Sequence, residues 1–358
     1  MAPITNHSIC ILALGWPVDQ AELGRLQHTR VAIQGRLDRS WIGPVCLEIE
    51  QRRPDLIMTH GFNAHFVAWT CQRRLRRQLP VVCSYHGPYH PANLRGHLLG
   101  MAYERFSDYF LRRHALAVVA VAHHAKARLA QRRVPVENVT VIHNGIESNA
   151  PSVSPIEARG EFRAQWGAKP DDFLVGAVGR LAPVKGFRHL IEGFAKAAQR
   201  WPRLRLVIAG DGPERPALEN SIRRSGVGDR IRLLGTVSGA AATLAAVDLF
   251  VVSSLSECHS IALLEAMRAA LPIVATDVGG NPETIASERE GLLVPAGNPE
   301  ALDVAIERLV AAPELCRCLG EAARQRFLHE FTQDVMLNRT AEWLLACAEK
   351  GRSLGSQL

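Results

Sequence analysis

The chain has 358 residues, 47% of them hydrophobic, and a formal net charge of +7. No apolar run approaches the roughly 20 residues that span a bilayer, so a membrane-spanning helix is not expected. The length suits two α/β domains, each large enough to bury an apolar centre of its own.

The first stretch, MAPITNHSICILALGW, holds a short apolar run with no basic region before it and no small-residue cleavage site. No signal peptide is therefore expected, and the cytosol is the expected compartment. Residues 1–150 carry 18 Lys and Arg against 10 Asp and Glu, whereas the remainder carries 24 against 25. The basic excess belongs to the first half. Arg73, Arg74, Arg76 and Arg77 form one cluster, and residues 93–119 mix apolar, aromatic and basic side chains at helical spacing. A surface for anionic lipid or a phosphate-bearing acceptor and a plain solvated helix face both fit this pattern. No nucleic-acid-binding motif accompanies the charge, so nucleic acid is not an expected partner.

Short runs of Val, Ile and Leu alternate with longer amphipathic segments, which predicts parallel sheets with crossover helices. Strands are expected at 8–14, 30–33, 55–60, 80–86, 117–122 and 139–144. Residues 147–160, rich in Pro and Ser and without periodicity, read as an interdomain linker. Domain boundaries are accordingly expected at 1–150 and 151–330, with residues 331–358 forming a last helix and tail. Strands resume at 173–179, 205–210, 231–235, 249–254, 272–276 and 291–294, followed by helices near 299–312, 313–327 and 332–348. The eight cysteines, Cys10, Cys46, Cys71, Cys83, Cys258, Cys316, Cys318 and Cys347, show no C-x-x-C pair and read mostly as small core residues.

Ligands of open parallel sheets bind beyond the carboxyl ends of the strands, and the chemically informative residues fall there. In GRLAPVKGF, Arg180 and Lys185 follow the strand at 173–179, with Gly179 and Gly186 allowing tight turns. Two cations on such a loop suit a diphosphate. In ECHSIALLE, Glu257 precedes a helix that begins near Ser260 and Glu265 lies more than one turn inside it. Unpaired N–H groups at that helix start, among them those near Ile261, make a second anion site, worth about 0.3–1 kcal/mol per nearby charge. Glu257 can then reach hydroxyls beyond the phosphates, while Glu265 can accept two hydrogen bonds from a ribose; a capping acid and an exposed acid would share the spacing. No strand is followed by G-x-G-x-x-G with an acid about 20 residues on, which argues against a dinucleotide enzyme.

The ordered set G-R-L-x-x-x-K-G, IAGDGPE (208–214), Glu257 to Glu265 with EAM, and PIVATDVGGNPE (272–283) resembles retaining nucleotide-sugar glycosyltransferases of the family 4 type. The resemblance spans the second half and extends more loosely through PDLIMTHG, PVVCSYHG and VIHNGIE. It implies a GT-B fold, two Rossmann-like domains with parallel sheets facing across a cleft, and transfer of a hexose to a lipid-linked or polysaccharide acceptor in cell-envelope or lipopolysaccharide-type synthesis. By it Arg180, Lys185 and Gly186 hold the donor diphosphate, Glu265 takes the ribose, and Glu257 with Cys258, His259, Ser260 and Ile261 surrounds the donor sugar and phosphates. His86 matches a histidine beside the reacting centre, and the last helix would return to the first domain. No cofactor or metal is implied beyond the UDP- or GDP-linked donor, whose own phosphate oxygen would help deprotonate the acceptor.

The sequence also departs from the pattern. The family usually has glycine and then an aromatic after the first glutamate, where Cys258 and His259 stand, so Cys258 is expected either to alter the loop backbone or to tune the accepted sugar. The interval before PDLIMTHG is short, so the first β-α unit with its glycine-rich turn is expected to be missing, through an upstream start, a shortened domain or lost activity. A degenerate non-catalytic partner and a GT-B epimerase are the competing functions. His60 and His86 end strands, where each either touches substrate or serves as a hydrogen-bonded strand end. His123 and His124 read as locally structural, as does the GDGP turn (Gly210 to Pro213), whereas Gly279, Gly280 and Glu283 fit binding and turn chemistry equally. Base choice is expected near Thr236 to Gly239.

Overall fold

The computed structural model describes residues 10–14, 27–31, 40–75, 79–87, 94–149, 155–237 and 241–355. Two compact units emerge, one of residues 1–84, 103–118 and 344–358, the other of residues 85–102 and 119–343. Strands β1 (Cys10–Leu14) and β2 (Gln27–Val31) pair in parallel, with Cys10 opposite Gln27. Helix α1 (Ile42–Arg52) leads to β3 (Ile57–His60), α2 (Gly61–Leu75), β4 (Val81–Tyr85), α3 (Leu94–Arg113), β5 (Ala117–Ala120), α4 (His123–Gln131) and β6 (Val139–Val141). These strands form a four-stranded sheet of order β3-β4-β5-β6, with β3 and β4 parallel.

Next come α5 (Pro155–Gln165), β7 (Phe173–Val178), α6 (Phe187–Arg200), β8 (Leu204–Ala209), α7 (Arg215–Arg224) and β9 (Ile231–Gly235). They are followed by α8 (Ala241–Ala246), β10 (Leu249–Val252), α9 (Ile261–Arg268), β11 (Ile273–Thr276), α10 (Asn281–Thr284) and β12 (Leu292–Val294). The last three helices are α11 (Pro299–Val310), α12 (Pro313–Glu330) and α13 (Gln333–Gly355). Strands β7 to β12 form one parallel sheet of order β12-β11-β10-β7-β8-β9.

The period-2 geometry of a strand explains why these segments read as continuous apolar runs. Leu249 and Val251 join the core under α6 and α11, while Phe250 and Val252 join the core under α9 and α12. Both faces are buried, so every position in β10 must be apolar. Helix α6 buries Phe187, Leu190, Ile191 and Phe194 at helical spacing, each side chain contributing about 1.5–3 kcal/mol when fully buried.

Two expectations shift. Residues 147–160 do not form a continuous linker, because α5 begins at Pro155; 150–154 lie outside the described residues. Proline is tolerated in a first helical turn, and α5 is tethered where Arg163 donates to the Ala246 carbonyl at 3.0 Å and to Asp248 at 3.0 Å. Strand β2 starts three residues before the expected Arg30. Residues 1–9, 15–26 and 32–39, on which the expected shortening of the first domain bears, lie outside the described residues. Helix α13 has its residues through Trp343 in the second unit and those from Leu344 in the first.

Candidate active site

Three loops leave the carboxyl ends of β7, β10 and β11 in the second unit, and they carry most of the residues singled out by the sequence. Arg180 follows β7 by two residues, is exposed, and has no ion-pair partner among the described residues. Lys185 closes a 3₁₀ turn, Pro183–Lys185. Gly186 then adopts φ 63°, and a Cβ there would stand 2.1 Å from the Ser253 carbonyl oxygen, so this loop can lie against the β10 loop only with glycine. Leu255 N–H donates to the Val184 carbonyl at 2.7 Å, joining the two loops further.

Lys185 Nζ donates to Glu257 Oε2 at 2.7 Å, and Ser254 Oγ donates to the same oxygen at 3.0 Å. Glu257 Oε1 has no hydrogen bond among the described residues. Ser260 caps α9, its hydroxyl accepting the Leu263 N–H at 3.3 Å, which leaves the N–H groups of Ile261 and Ala262 at the positive end of the helix. Ile261 is exposed there. Glu265 is half-buried one turn further on, and burial raises its pKa although Arg268 opposes the shift. Its carboxylate is thus less well solvated than an ordinary surface glutamate.

Cys258 does not have positive φ, so the backbone here makes no demand for glycine. A Cβ on Gly87 would lie 2.8 Å from Cys258 Sγ, so the thiol fills the space that Gly87 leaves. Burial, and secondarily the Glu257 carboxylate, raise this thiol to about 11, which keeps it protonated. His86, exposed directly after β4, is the neighbour of that Gly87.

The His259 ring turns inward rather than toward the loops. It is 5% exposed, its centroid lies 5.0 Å from that of His143 and 5.7 Å from that of Phe331, and neither ring nitrogen has a hydrogen-bond partner among the described residues. Burial above all, with the nearby His143, pushes it down to about 3, against the pull of Glu283. His259 can therefore serve a ligand only through its backbone, while its ring takes the packing place of an aromatic residue.

Glu283 has a partner 160 positions away. Its two carboxylate oxygens accept the His123 and His124 N–H groups at 2.6 and 2.7 Å, and His143 Nε2 stands 3.1 Å from Oε2. Helix α4 has no side-chain cap of its own at Ala122, so Glu283 satisfies its first N–H groups and complements its dipole. Burial raises the Glu283 pKa, but the hydrogen bonds from His124, His123 and His143 outweigh it and leave a net lowering. His123 and His124 are thus structural at the backbone. Gly279 and Gly280 are held to glycine by packing, since a Cβ on either would strike the Glu257 or the Cys258 carbonyl oxygen at 1.6 or 2.0 Å. Thr236 and Val237 follow β9, whereas Ser238 and Gly239 lie outside the described residues.

Two parallel-sheet α/β domains of this kind are the GT-B fold. The chain aligns with HepE of Anabaena, solved in complex with UDP and glucose, at a TM-score of 0.80 and 23% identity, over 94% of this chain and 91% of that one. The family model for glycosyl transferases group 1 matches residues 158–326 and that for glycosyltransferase family 4 matches residues 5–149; the chain belongs to this family. An uncharacterized glycosyltransferase of Methanocaldococcus jannaschii is 30% identical over 72% of this chain and 66% of its own length. A D-inositol 3-phosphate glycosyltransferase of Segniliparus rotundus is 33% identical over 49% of this chain and 41% of its own length. The chain thus spans between about two fifths and two thirds of the length of these curated relatives.

Proposed function

We propose that this chain is a retaining glycosyltransferase that moves a hexose from a UDP- or GDP-linked donor to a lipid-linked or polysaccharide acceptor. The observation that carries the reading is the gathering of Arg180, Lys185, the α9 N-terminus, Glu257 and Glu265 at one end of a single parallel sheet. Arg180, Lys185 and the helix start supply positive charge for a leaving diphosphate, so the reading requires no metal. Glu265 accepts the ribose hydroxyls, Glu257 Oε1 faces the transferred sugar, and His86 stands beside the reacting atoms. No protein nucleophile is needed when the donor's own phosphate oxygen receives the acceptor proton on the face that the leaving group vacates. The UDP complexes of HepE support a uridine donor.

An anionic membrane as the place of the acceptor is supported by α2 and α3. Phe66 is 41% and Tyr109 47% exposed, the Arg73 guanidinium lies 5.0 Å from the Trp69 ring centre, and Arg74, Arg105, Arg112 and Arg113 are exposed around them. Aromatic rings beside arginines suit the headgroup region of a charged bilayer. Among the described residues no helix is long and apolar enough to cross a membrane.

The test is to incubate the protein with UDP- or GDP-hexose in EDTA, together with vesicles that contain phosphatidylglycerol and a lipid-linked glycan. A product with the anomeric configuration of the donor is expected, with protein that floats with the vesicles at low salt and is released at high salt. An inverted product, free hexose without acceptor, or no flotation at low salt would remove the corresponding part of the reading.

A further inference from the structure

Ser254 lies just past β10 and is 1% exposed. Its hydroxyl proton goes to Glu257 Oε2, the oxygen that also accepts Lys185. Its own backbone is fixed in turn, because Thr276 Oγ1, fully buried, donates to the Ser254 carbonyl at 2.6 Å. The preceding residue acts on the same lysine from the other end, with Ser253 Oγ donating to the Lys185 carbonyl at 2.9 Å. The β10 loop therefore holds both the backbone and, through one carboxylate, the ammonium of Lys185.

A free lysine side chain loses much of its rotamer entropy when its ammonium is brought to a single point. A carboxylate that can swing would hold it loosely. A carboxylate tied by a buried hydroxyl has one place to be, and the ammonium attached to it has one place as well. We propose that Ser254 is a positioning residue of the donor site: by fixing Glu257 Oε2 it sets the Lys185 ammonium where the donor diphosphate will meet it, while Glu257 Oε1 stays available to the sugar. This inference rests on the reading of Lys185 as a diphosphate ligand. It adds a residue that acts entirely through Glu257.

Two readouts separate the role from the site assignment. The first needs no ligand: the rate at which an N-hydroxysuccinimide acetate ester modifies Lys185, followed by peptide mass spectrometry. The second is the affinity for UDP and GDP compared with uridine and guanosine. Ser254→Ala should raise the labelling rate of Lys185 several-fold and weaken the preferred diphosphate by about tenfold while leaving its nucleoside unchanged, the size expected when one positioned charged hydrogen bond is loosened. In a Glu257→Ala background, which removes the shared acceptor, the same substitution should change neither quantity further, since residues that act through one another are not additive. A labelling rate unmoved by Ser254→Ala, or an effect equally large in both backgrounds, overturns the positioning role. Labelling that behaves as expected in a protein that binds no nucleoside diphosphate would instead overturn the donor-site reading.

Discussion

Replacing Lys185 with alanine is expected to lower kcat by about 10²–10³-fold, with the KM for a neutral acceptor changed by no more than about twofold. The magnitude is that of removing one preorganised donor from developing negative charge in a site with limited water. On the proposed reading Lys185 would meet the diphosphate most strongly when the glycosidic bond breaks and charge collects on the leaving oxygen, so the loss should fall on the chemical step. In that reading the acceptor would not touch the ammonium, which is why its KM should hold. Steady-state rates at saturating donor check this, with the melting temperature measured alongside because Glu257 loses its charged partner. Unchanged turnover would remove Lys185 from the donor site.

The second large effect is on stability. His259→Phe is expected to stabilise the protein by about 1–2 kcal/mol at pH 7, the scale of relieving an unpaired buried polar group, which is roughly 2–8 °C for a unit of this size. The ring site already suits an aromatic side chain, with His143 and Phe331 on either side. The gain should widen as the solution is acidified. The unfolded histidine takes up a proton near 6.5, whereas the folded one, buried beside His143, does so only at about 3. Between those values the unfolded state binds a proton that the folded state refuses, so stability is lost as pH falls below about 6.5. Phenylalanine removes that term. Thermal melts at pH 7 and pH 5 measure it, and a difference between variant and wild type that shrinks on acidification would contradict the buried, neutral imidazole. Glu283, which also faces His143, acts in the same sense: its lowered pKa means that its contribution is present above the ordinary glutamate value and lost as pH falls through the folded one. It is common to both proteins and should cancel.

The strands of the larger sheet were legible because burial on both faces demands unbroken apolar runs, as in LFVVSS before the glutamate loop. Arg180, Lys185 and Glu257 were legible because each sits near a strand end or a helix start, and Glu265 because it lies a fixed number of residues inside the helix that follows, so local sequence decides position. What escaped was settled by partners far along the chain. The inward turn of His259 depends on Phe331, and the capping role of Glu283 depends on a helix 160 residues earlier. Helix α5 escaped because a proline at its first turn looks like a breaker and because its anchor, Asp248, belongs to another element. Ser254 offered only a pair of serines after a strand; which carboxylate takes its proton is a tertiary fact.

The measurement that bears most directly on the central claim, that Glu257 and Glu265 straddle a nucleotide sugar, is thermal stabilisation by UDP, GDP and ADP in the wild type and in Glu265→Ala. A nucleotide at about 100 times its dissociation constant should add roughly 2.7 kcal/mol. The account predicts that one of the three raises the melting temperature of the wild type and that Glu265→Ala abolishes the rise. Stabilisation by none of them, or a rise that survives the loss of Glu265, would contradict it.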